Sequence, residues 1–258
     1  MSPLLLKLVD IVGKNHVLVG HSLEQRATSY WDSAPTIAMA LVRPSSTAEV
    51  SQILKICNQH KQPVVTQGGL TGCVEGAITT ARDIIISLER MKAIESIDEI
   101  GNTAIVQAGA VLQIVQETVR DKNLTFPLDL GARGSCTIGG NIATNAGGIN
   151  VLRYGMMRNL VLGLETVLAD GTVISSMNQM LKNNAGYDSK QLFIGSEGTL
   201  GIITRAVIRL FNQPTSCQSA MVALDSFVSV TTLLSHMQKG LAGTLSAFEV
   251  MWGEYFKG

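Results

Sequence analysis

The sequence predicts an α+β protein made of two consecutive α/β subdomains, and three observations support this fold class. At 258 residues the chain is long enough for two subdomains with a substantial core. Helix-like and strand-like patterns alternate along most of it. Glycine accounts for 25 residues, well above the usual ~7%, and it clusters beside strand-like runs. We divide the chain into a helical lead-in, two subdomains and an incomplete last domain, over 1–36, 37–95, 96–210 and 211–258.

The lead-in and the first subdomain open on helical patterns. An amphipathic helix is expected at the amino end, from the apolar residues Leu5, Leu8, Val9 and Val12. Ser46 and Glu49 have the spacing of a capping box, so a second helix should begin there. Short apolar runs predict strands over 63–66 and 83–88. This alternation of helix and strand is typical of a small α/β unit.

The second subdomain is richer in strands. We expect a helix over 111–122 and strands over 103–108, 160–168, 172–174 and 202–210. The pair Asp170-Gly171 between two of these strands is a typical hairpin turn.

Polar residues around Pro214 mark the boundary of the last segment. Beyond it the pattern predicts a strand over 220–224, a helix that opens at Asp225 and a strand over 245–251.

Composition excludes several classes of protein. Twenty basic residues balance twenty acidic ones, which argues against a nucleic-acid binder that relies on a basic surface. No apolar run approaches the ~18 residues of a membrane span, and the amino end lacks the pattern of a secretory signal. The cysteines form no CxxC pair, so neither a disulfide framework nor a zinc site is expected. We predict four buried free thiols in a reducing, cytoplasmic compartment, at Cys57, Cys73, Cys136 and Cys217.

Three glycine clusters indicate a ligand that is bound by backbone. They lie at 68–76, 131–163 and 195–201, where glycine permits positive φ or a close approach. The clusters contain few charges, and the sequence has neither a GxxxxGK[ST] nor a GxGxxG motif, so a P-loop and a standard Rossmann site are disfavoured. Backbone N–H groups with small hydroxyls and amides can instead hold a diphosphate. Each cluster alone could be a simple turn, but the three together favour one long dinucleotide-like ligand between the subdomains.

Longer stretches of the sequence resemble a known family. The three stretches are PVVTQGGLTG (63–72), PLDLGARGSCTIGGNIATNAGGINVLRYG (127–155) and QLFIGSEGTLGIIT (191–204). They resemble the FAD-linked oxidase family, which includes vanillyl-alcohol oxidase and has a PCMH-type FAD-binding domain. The resemblance runs over about 42–210. It is strongest to the 2-hydroxyacid dehydrogenase branch, which contains enzymes for D-lactate, glycolate and D-2-hydroxyglutarate.

The resemblance implies FAD as the cofactor and assigns a role to many residues. The pyrophosphate would lie on Gly68, Gly69, Leu70, Thr71 and Gly72. The diphosphate, ribityl chain and flavin would be lined by Pro127, Gly134, Ser135, Gly139, Gly140, Asn141, Thr144 and Asn145. The adenosine or the ring edge would pass Glu197, Gly198, Gly201 and Ile203. Two residues depart from the family pattern: Glu75 stands where relatives commonly have glycine, and Ser189 where they have leucine. We expect the Glu75 carboxylate to point away from the diphosphate.

The same resemblance implies an FAD-dependent oxidoreductase that converts a 2-hydroxy acid to a 2-oxo acid. Four histidines, His16, His21, His60 and His236, lie outside the cofactor segments, so FAD should be held noncovalently. Relatives bind substrate in a cap domain after the FAD domain, and 211–258 resembles its beginning. We therefore assign no catalytic and no metal-binding residue within this chain and expect a truncated product. Two hypotheses stay open: the FAD half of a dehydrogenase with an unknown electron acceptor, or a noncatalytic FAD module that needs a cap-bearing partner or a second copy.

Overall fold

The computed structural model describes residues 2–256. Met1, Lys257 and Gly258 lie outside the described residues, and with them the outermost ends of the predicted 1–36 and 211–258 segments. The described part of the chain contains two larger sheets, one two-stranded sheet and a set of mostly short helices.

The first sheet has four strands, in the spatial order β1-β2-β4-β3. Its strands are β1 (Val17–Leu18), β2 (Ala40–Val42), β3 (Val64–Gln67) and β4 (Ile84–Ser87). Strands β2, β3 and β4 run parallel, and β1 pairs antiparallel with β2. All four residues of β4 are buried, as expected of a central parallel strand that is covered on both faces. The predicted strands over 63–66 and 83–88 are confirmed.

Helices α1 (Pro3–Val12), α2 (His21–Glu24) and α3 (Thr47–Gln59) belong to this half of the chain. Helix α3 begins as the capping pattern predicts, because the Ser46 hydroxyl accepts the Glu49 N–H at 3.2 Å. The return bond of a capping box is displaced by one residue. The Glu49 carboxylate accepts the backbone N–H of Ser45 at 2.7 Å and the Ser45 hydroxyl at 3.0 Å.

The second sheet has five antiparallel strands, in the order β5-β6-β10-β8-β9. They are β5 (Ile94–Asp98), β6 (Thr103–Gln107), β8 (Val161–Val167), β9 (Val173–Ser176) and β10 (Ile202–Arg209). The remaining strands, β7 (Leu124–Thr125) and β11 (Phe211–Asn212), pair with each other. The predicted hairpin turn is confirmed, since β8 and β9 pair and the Asp170 carboxylate accepts the Thr172 N–H at 2.8 Å.

Six further helices connect these strands or follow them in the described part of the chain. They are α4 (Leu112–Arg120), α5 (Ile138–Ala143), α6 (Val151–Tyr154), α7 (Met157–Leu160), α8 (Lys190–Phe193) and α9 (Phe227–Gly240). Helix α4 turns its apolar side, Leu112, Val115 and Val119, into the core, as predicted.

The two strands predicted in the last segment are wrong. Residues 220–224 and 245–251 are irregular, the first segment is exposed and the second is partly buried, and they pair with no other described segment. An apolar run becomes a strand only where a neighbouring strand completes its hydrogen bonds, and none lies beside these runs. The helix between them is confirmed. Helix α9 is capped by Ser226, one residue after the predicted start, and it buries none of its side chains.

One continuous apolar core joins the two larger sheets, with Leu8, Ile53 and Ile84 from the first half and Val106 and Ile208 from the second. Such a shared core fixes the angle between the sheets, because close-packed side chains resist relative motion.

Polar bonds reinforce this junction. The Thr47 hydroxyl on α3 donates to the buried Glu165 carboxylate on β8 at 2.6 Å. Arg205 on β10 donates to the same carboxylate at 3.3 Å, and the Ser51 hydroxyl donates to the Gly171 carbonyl at 2.5 Å. The bonds from Thr47 and Ser51 attach the amino-terminal part of α3 to the second sheet, and the bond from Arg205 holds Glu165 in place.

An ionic cluster fastens the 21–36 segment to the end of β4. The Glu89 carboxylate accepts hydrogen bonds from Arg26, from Arg43 at 3.1 Å and from the Ser87 hydroxyl at 3.1 Å. Burial by itself raises the pKa of Glu89. The bonds from the two arginines and the serine outweigh it and hold this pKa below its ordinary value.

Candidate cofactor site

Three glycine-rich loops meet beside the junction of the two sheets. The first loop (68–76) follows β3, the second (131–148) surrounds α5, and the third (195–201) lies between α8 and β10. The first and second loops touch so closely that side chains are excluded. A Cβ atom at Gly68 would lie 2.6 Å from Thr137 Oγ1, and one at Gly69 would lie 2.1 Å from the Ser135 carbonyl oxygen. Glycine is therefore a steric requirement at both positions.

The third loop is bonded to the second and touches the first. The Gly195 N–H donates to the Ile142 carbonyl at 3.1 Å, and the Glu197 N–H donates to the Ala143 carbonyl at 2.9 Å. Glu197 Oε2 lies 3.0 Å from the position of a Cβ at Gly76, in the first loop. The three loops thus form one contiguous surface, as the clustered glycines suggested.

Strained backbone is concentrated on this surface. Four of its non-glycine residues have positive φ: Leu70 (53°), Glu75 (59°), Asn145 (49°) and Glu197 (52°). Side-chain-bearing residues rarely adopt this region, and such residues gather at ligand sites, where the surrounding structure holds them in place.

The first loop presents a row of free backbone donors. Among residues 2–256, no protein acceptor receives a hydrogen bond from the N–H groups of Gly69, Leu70, Thr71 or Gly72. Consecutive unpaired N–H groups on a loop form an anion-binding concavity of the type that holds phosphates. The Glu75 side chain at the far end of the loop is exposed, as predicted.

Several polar side chains of the second loop already have partners within the protein. Thr137 caps α5 by accepting the Gly140 N–H at 3.4 Å, and the Thr144 hydroxyl donates to the Gly140 carbonyl at 3.0 Å. Asn141 is buried, and its amide contacts Cys136 Sγ at 3.6 Å. Ser135 is exposed at the contact between the first two loops.

Besides Asn141, four more of the predicted cofactor residues are buried against protein. A Cβ at Gly139 would lie 2.6 Å from the Cβ of Ala108, and one at Gly201 would lie 2.9 Å from the carbonyl oxygen of Val167. The other two, Pro127 and Ile203, are buried as well, and Ile203 belongs to the core. These positions support the loops from behind, and their predicted contacts with a cofactor stay predictions.

A cavity of about 290 Å³ opens beside the third loop, between α3 and the start of β10. Its lining includes Leu54, Cys57, Thr66, Gly198 and Ile202. Burial raises the pKa of the Cys57 thiol to about 11, so this thiol is neutral at physiological pH. The lining also contains polar side chains, among them Asn58, Lys61 and Gln62, so the cavity combines apolar surface with hydrogen-bonding groups, as a heterocyclic ring requires.

Arg158 holds the second and third loops together and was missed by the sequence reasoning. Its backbone N–H donates to Asn145 Oδ1 at 2.9 Å. Its guanidinium donates to the carbonyl of Gln191 at 3.0 Å and to that of Ile194 at 2.5 Å. The only available signal was an arginine near the end of the second glycine cluster.

The four cysteines are free, but only Cys57 and Cys136 are buried. The prediction of burial is wrong for Cys73 and Cys217, which are exposed because they lie on irregular surface segments. No group of three or more possible metal ligands occurs within residues 2–256. No described helix has both the length and the apolar character needed to cross a bilayer.

Comparison with known proteins identifies the fold. A family described as "FAD binding domain" matches residues 38–176. The crystal structure of p-cresol methylhydroxylase superposes with a TM-score of 0.74 over 92% of this chain and 48% of its own, at 20% identity. The predicted α+β architecture of the PCMH type is therefore confirmed.

Sequence relatives are named as dehydrogenases. The chain is 45% identical over 217 residues to the mitochondrial D-2-hydroxyglutarate dehydrogenase of Bos taurus, covering 84% of this chain and 40% of the relative. It is 39% identical over 243 residues to the enzyme of that name from Arabidopsis thaliana, covering 94% and 44%. The chain thus spans less than half the length of these relatives.

The predicted cytoplasmic localisation is wrong, because these relatives are named as mitochondrial enzymes. Free cysteines indicate a reducing environment, and such an environment is not unique to the cytoplasm, so they do not distinguish one reducing compartment from another.

The family match covers more than half of the chain, and it includes the first two glycine-rich loops that the structure brings together. The cofactor predicted from the glycine clusters and the motifs is FAD, as the family description states. The chain belongs to the FAD-binding domain family.

Proposed function

We propose that this chain is the FAD-binding part of a dehydrogenase that oxidises a 2-hydroxy acid, D-2-hydroxyglutarate first among the candidates, to the 2-oxo acid. The observation that carries the proposal is the row of free N–H groups from Gly69 to Gly72, which is held against the second loop. The names of relatives at 39–45% identity suggest the substrate. By the same names the protein would act in the mitochondrion.

Neutral donors would hold the diphosphate of FAD. Four consecutive backbone N–H groups of the first loop are available, with the hydroxyls of Thr71 and Ser135 beside them. Backbone dipoles of this kind stabilise negative charge without the entropy cost of ordering long basic side chains. The exposed Glu75 keeps its carboxylate in solvent, where water and salt weaken its repulsion of the diphosphate.

The two ends of FAD would extend in opposite directions from this row. The cavity beside Gly198 would take the adenine, because its mixed apolar and polar lining and its size suit a flat heterocyclic ring. The second loop, with Gly134, Gly140 and Asn145 at its accessible side, would line the ribityl chain and the flavin. No histidine lies in the three loops, so the cofactor would be bound noncovalently.

When bound, FAD supplies the acceptor for the hydride that leaves the α-carbon of the hydroxy acid, while the hydroxyl proton passes to a base. The role that we assign to this chain is to bind and orient the cofactor. The buried network behind the loops, including Asn141 and Thr137, keeps the backbone donors in place before binding. We assign the base, the carboxylate-binding groups and the electron acceptor to none of residues 2–256.

A second candidate is a noncatalytic FAD-binding module that needs a partner, either a cap-bearing protein or another copy of this chain. It rests on the same three glycine-rich loops and requires no catalytic group from this chain.

The absorption spectrum of the purified chain, recorded after incubation with FAD and desalting, tests the first step. We expect bound flavin that acid precipitation releases into the supernatant. A chain that stays colourless would refute FAD binding, and flavin that stays in the pellet would refute the noncovalent mode.

Anaerobic addition of D-2-hydroxyglutarate, with the L-enantiomer and D-lactate as comparisons, separates the two candidates. Bleaching of the flavin by the D-enantiomer would support the dehydrogenase and contradict the noncatalytic module. Retained colour with every hydroxy acid would favour the module that needs a partner.

A further inference from the structure

We infer that Arg158 is a positioning residue that holds the third glycine-rich loop against the second and thereby sets the width of the FAD site. The inference rests on the proposed function for its ligand and on the structure for its geometry. Arg158 belongs to α7, outside all three loops, and no family motif quoted above includes it.

The guanidinium of Arg158 spans the end of α8. One nitrogen donates to both the carbonyl of Gln191, at 3.0 Å, and its side-chain Oε1, at 2.5 Å. The other terminal nitrogen donates to the carbonyl of Ile194 at 2.5 Å. The last carbonyls of a helix have no donor within the helix, and an arginine fork can satisfy two of them at once. Arg158 therefore fixes where α8 ends and where the third loop begins.

The backbone of Arg158 anchors the other side. Its N–H donates to Asn145 Oδ1 at 2.9 Å, and Asn145 is one of the strained residues of the second loop, with φ of 49°. A Cβ at Gly195 would lie 3.5 Å from both the guanidinium and the Cβ of Asn145. One residue thus contacts both loops at the point where they approach each other.

The guanidinium of Arg158 makes the hydrogen bonds that position the loops, and it makes no ion pair with a described residue. Within residues 2–256, no carboxylate lies within salt-bridge distance of its guanidinium. A half-buried cation bonded only to neutral oxygens is a costly arrangement, and loop positioning accounts for it. Lysine would keep the charge, but its single ammonium group cannot reproduce the planar fork.

The consequence concerns two amides of the third loop. The N–H groups of Gly195 and Glu197 donate to the carbonyls of Ile142 and Ala143, directly after the contacts of Arg158. Without the guanidinium, the carbonyls of Gln191 and Ile194 lose their donor and the end of α8 is released. The bonds of Gly195 and Glu197, which follow directly in the chain, should then break more easily. We expect the third loop to detach locally while the shared core, which does not include Arg158, stays intact.

The test compares R158K and R158Q with R120K, a matched control at an exposed arginine that ends α4. Hydrogen exchange of the apo chain is followed for peptides over 191–198, and FAD affinity is measured by quenching of flavin fluorescence. We expect both Arg158 variants to exchange faster in this segment alone and to bind FAD about 10–100-fold more weakly. R120K should match the wild type in both measurements.

Binding by R158K within about twofold of the wild type would overturn the inference, because it would show that only the charge matters. Should both Arg158 variants fail to fold, Gln191→Ala removes one acceptor of the fork and should weaken FAD binding about 2–5-fold. An unchanged affinity in that variant would also overturn the inference. If the wild type binds no FAD, the proposed function fails, whereas exchange in the apo chain still tests the positioning role on its own.

Discussion

The contact between the first two glycine-rich loops leads to the sharpest prediction, for Gly69→Ala. The new Cβ would lie 2.1 Å from the carbonyl oxygen of Ser135 and 2.9 Å from the Cα of Cys136. A relaxed contact between carbon and oxygen needs about 3.3 Å, so the loops must separate by about 1 Å. Both obstructing atoms are main chain, and no rotamer change can relieve the clash.

The cost of this separation follows from the behaviour of overpacked interiors. Inserted methyl groups usually cost about 1–3 kcal/mol, and a clash with backbone belongs at the upper end. For a chain of this size, about 3 kcal/mol lowers the melting temperature by roughly 6–12 °C. The row of free N–H groups begins at the same residue, so FAD affinity should fall at least about tenfold.

Gly72→Ala is the matched control, three residues along the same loop. A Cβ there has no atom within 4 Å, so the apo variant should melt within about 1 °C of the wild type. Circular dichroism of the two apo variants gives the melting temperatures, and flavin fluorescence gives the affinities. Equal melting temperatures for Gly69→Ala and Gly72→Ala would refute the steric reasoning.

Three other predictions concern charge and exposure. Glu75→Gly should bind FAD a few-fold more tightly at low salt. The change removes a carboxylate near the diphosphate, and it relieves the strain of a side-chain-bearing residue at φ of 59°. A gain in affinity that does not depend on salt would contradict the electrostatic part of this reasoning. The pKa of Glu89 is lowered in the folded state, so its stabilisation is complete above the unfolded value near 4.5 and is lost as the pH falls through the lower folded-state pKa. Glu89→Gln should therefore lose about 1 kcal/mol at pH 7, because the bonds from Arg26 and Arg43 weaken. It should converge with the wild type in melts as the pH falls below the folded-state pKa of Glu89. FAD should slow alkylation of the exposed Cys73 thiol by iodoacetamide, since this thiol lies on the first loop, and equal rates with and without FAD would argue against that loop as the diphosphate site.

The elements that the sequence predicted well are those with local causes. The start of α3 depends on the Ser46 hydroxyl, and the β8–β9 hairpin depends on the turn at Asp170-Gly171. Both causes lie within a few residues and are visible as patterns. The strands predicted over 220–224 and 245–251 failed because pairing is not local, and an apolar run does not reveal whether a neighbouring strand exists.

The three loops of the site could be predicted from the sequence, but the residues that hold those loops in place could not. Clustered glycines pointed to three loops around one ligand, and the close contact at Gly69 explains why glycine is required. Arg158 escaped because two of the three acceptors of its guanidinium are backbone carbonyls, which every residue carries and which leave no sequence signature. Ile203 matched a family motif, yet its side chain lies in the core, since motifs record backbone positions as well as contacts.

The loop contact at Gly68 and Gly69 also has a genetic consequence. All amino acids other than glycine carry a Cβ, so every missense change at these two codons places an atom 2.6 Å or 2.1 Å from the second loop. Charge, polarity and size beyond that first carbon matter little to the outcome. A saturation library selected for flavin retention should therefore show the same intolerance for all nineteen replacements at Gly69, whereas Gly72 should show a graded series.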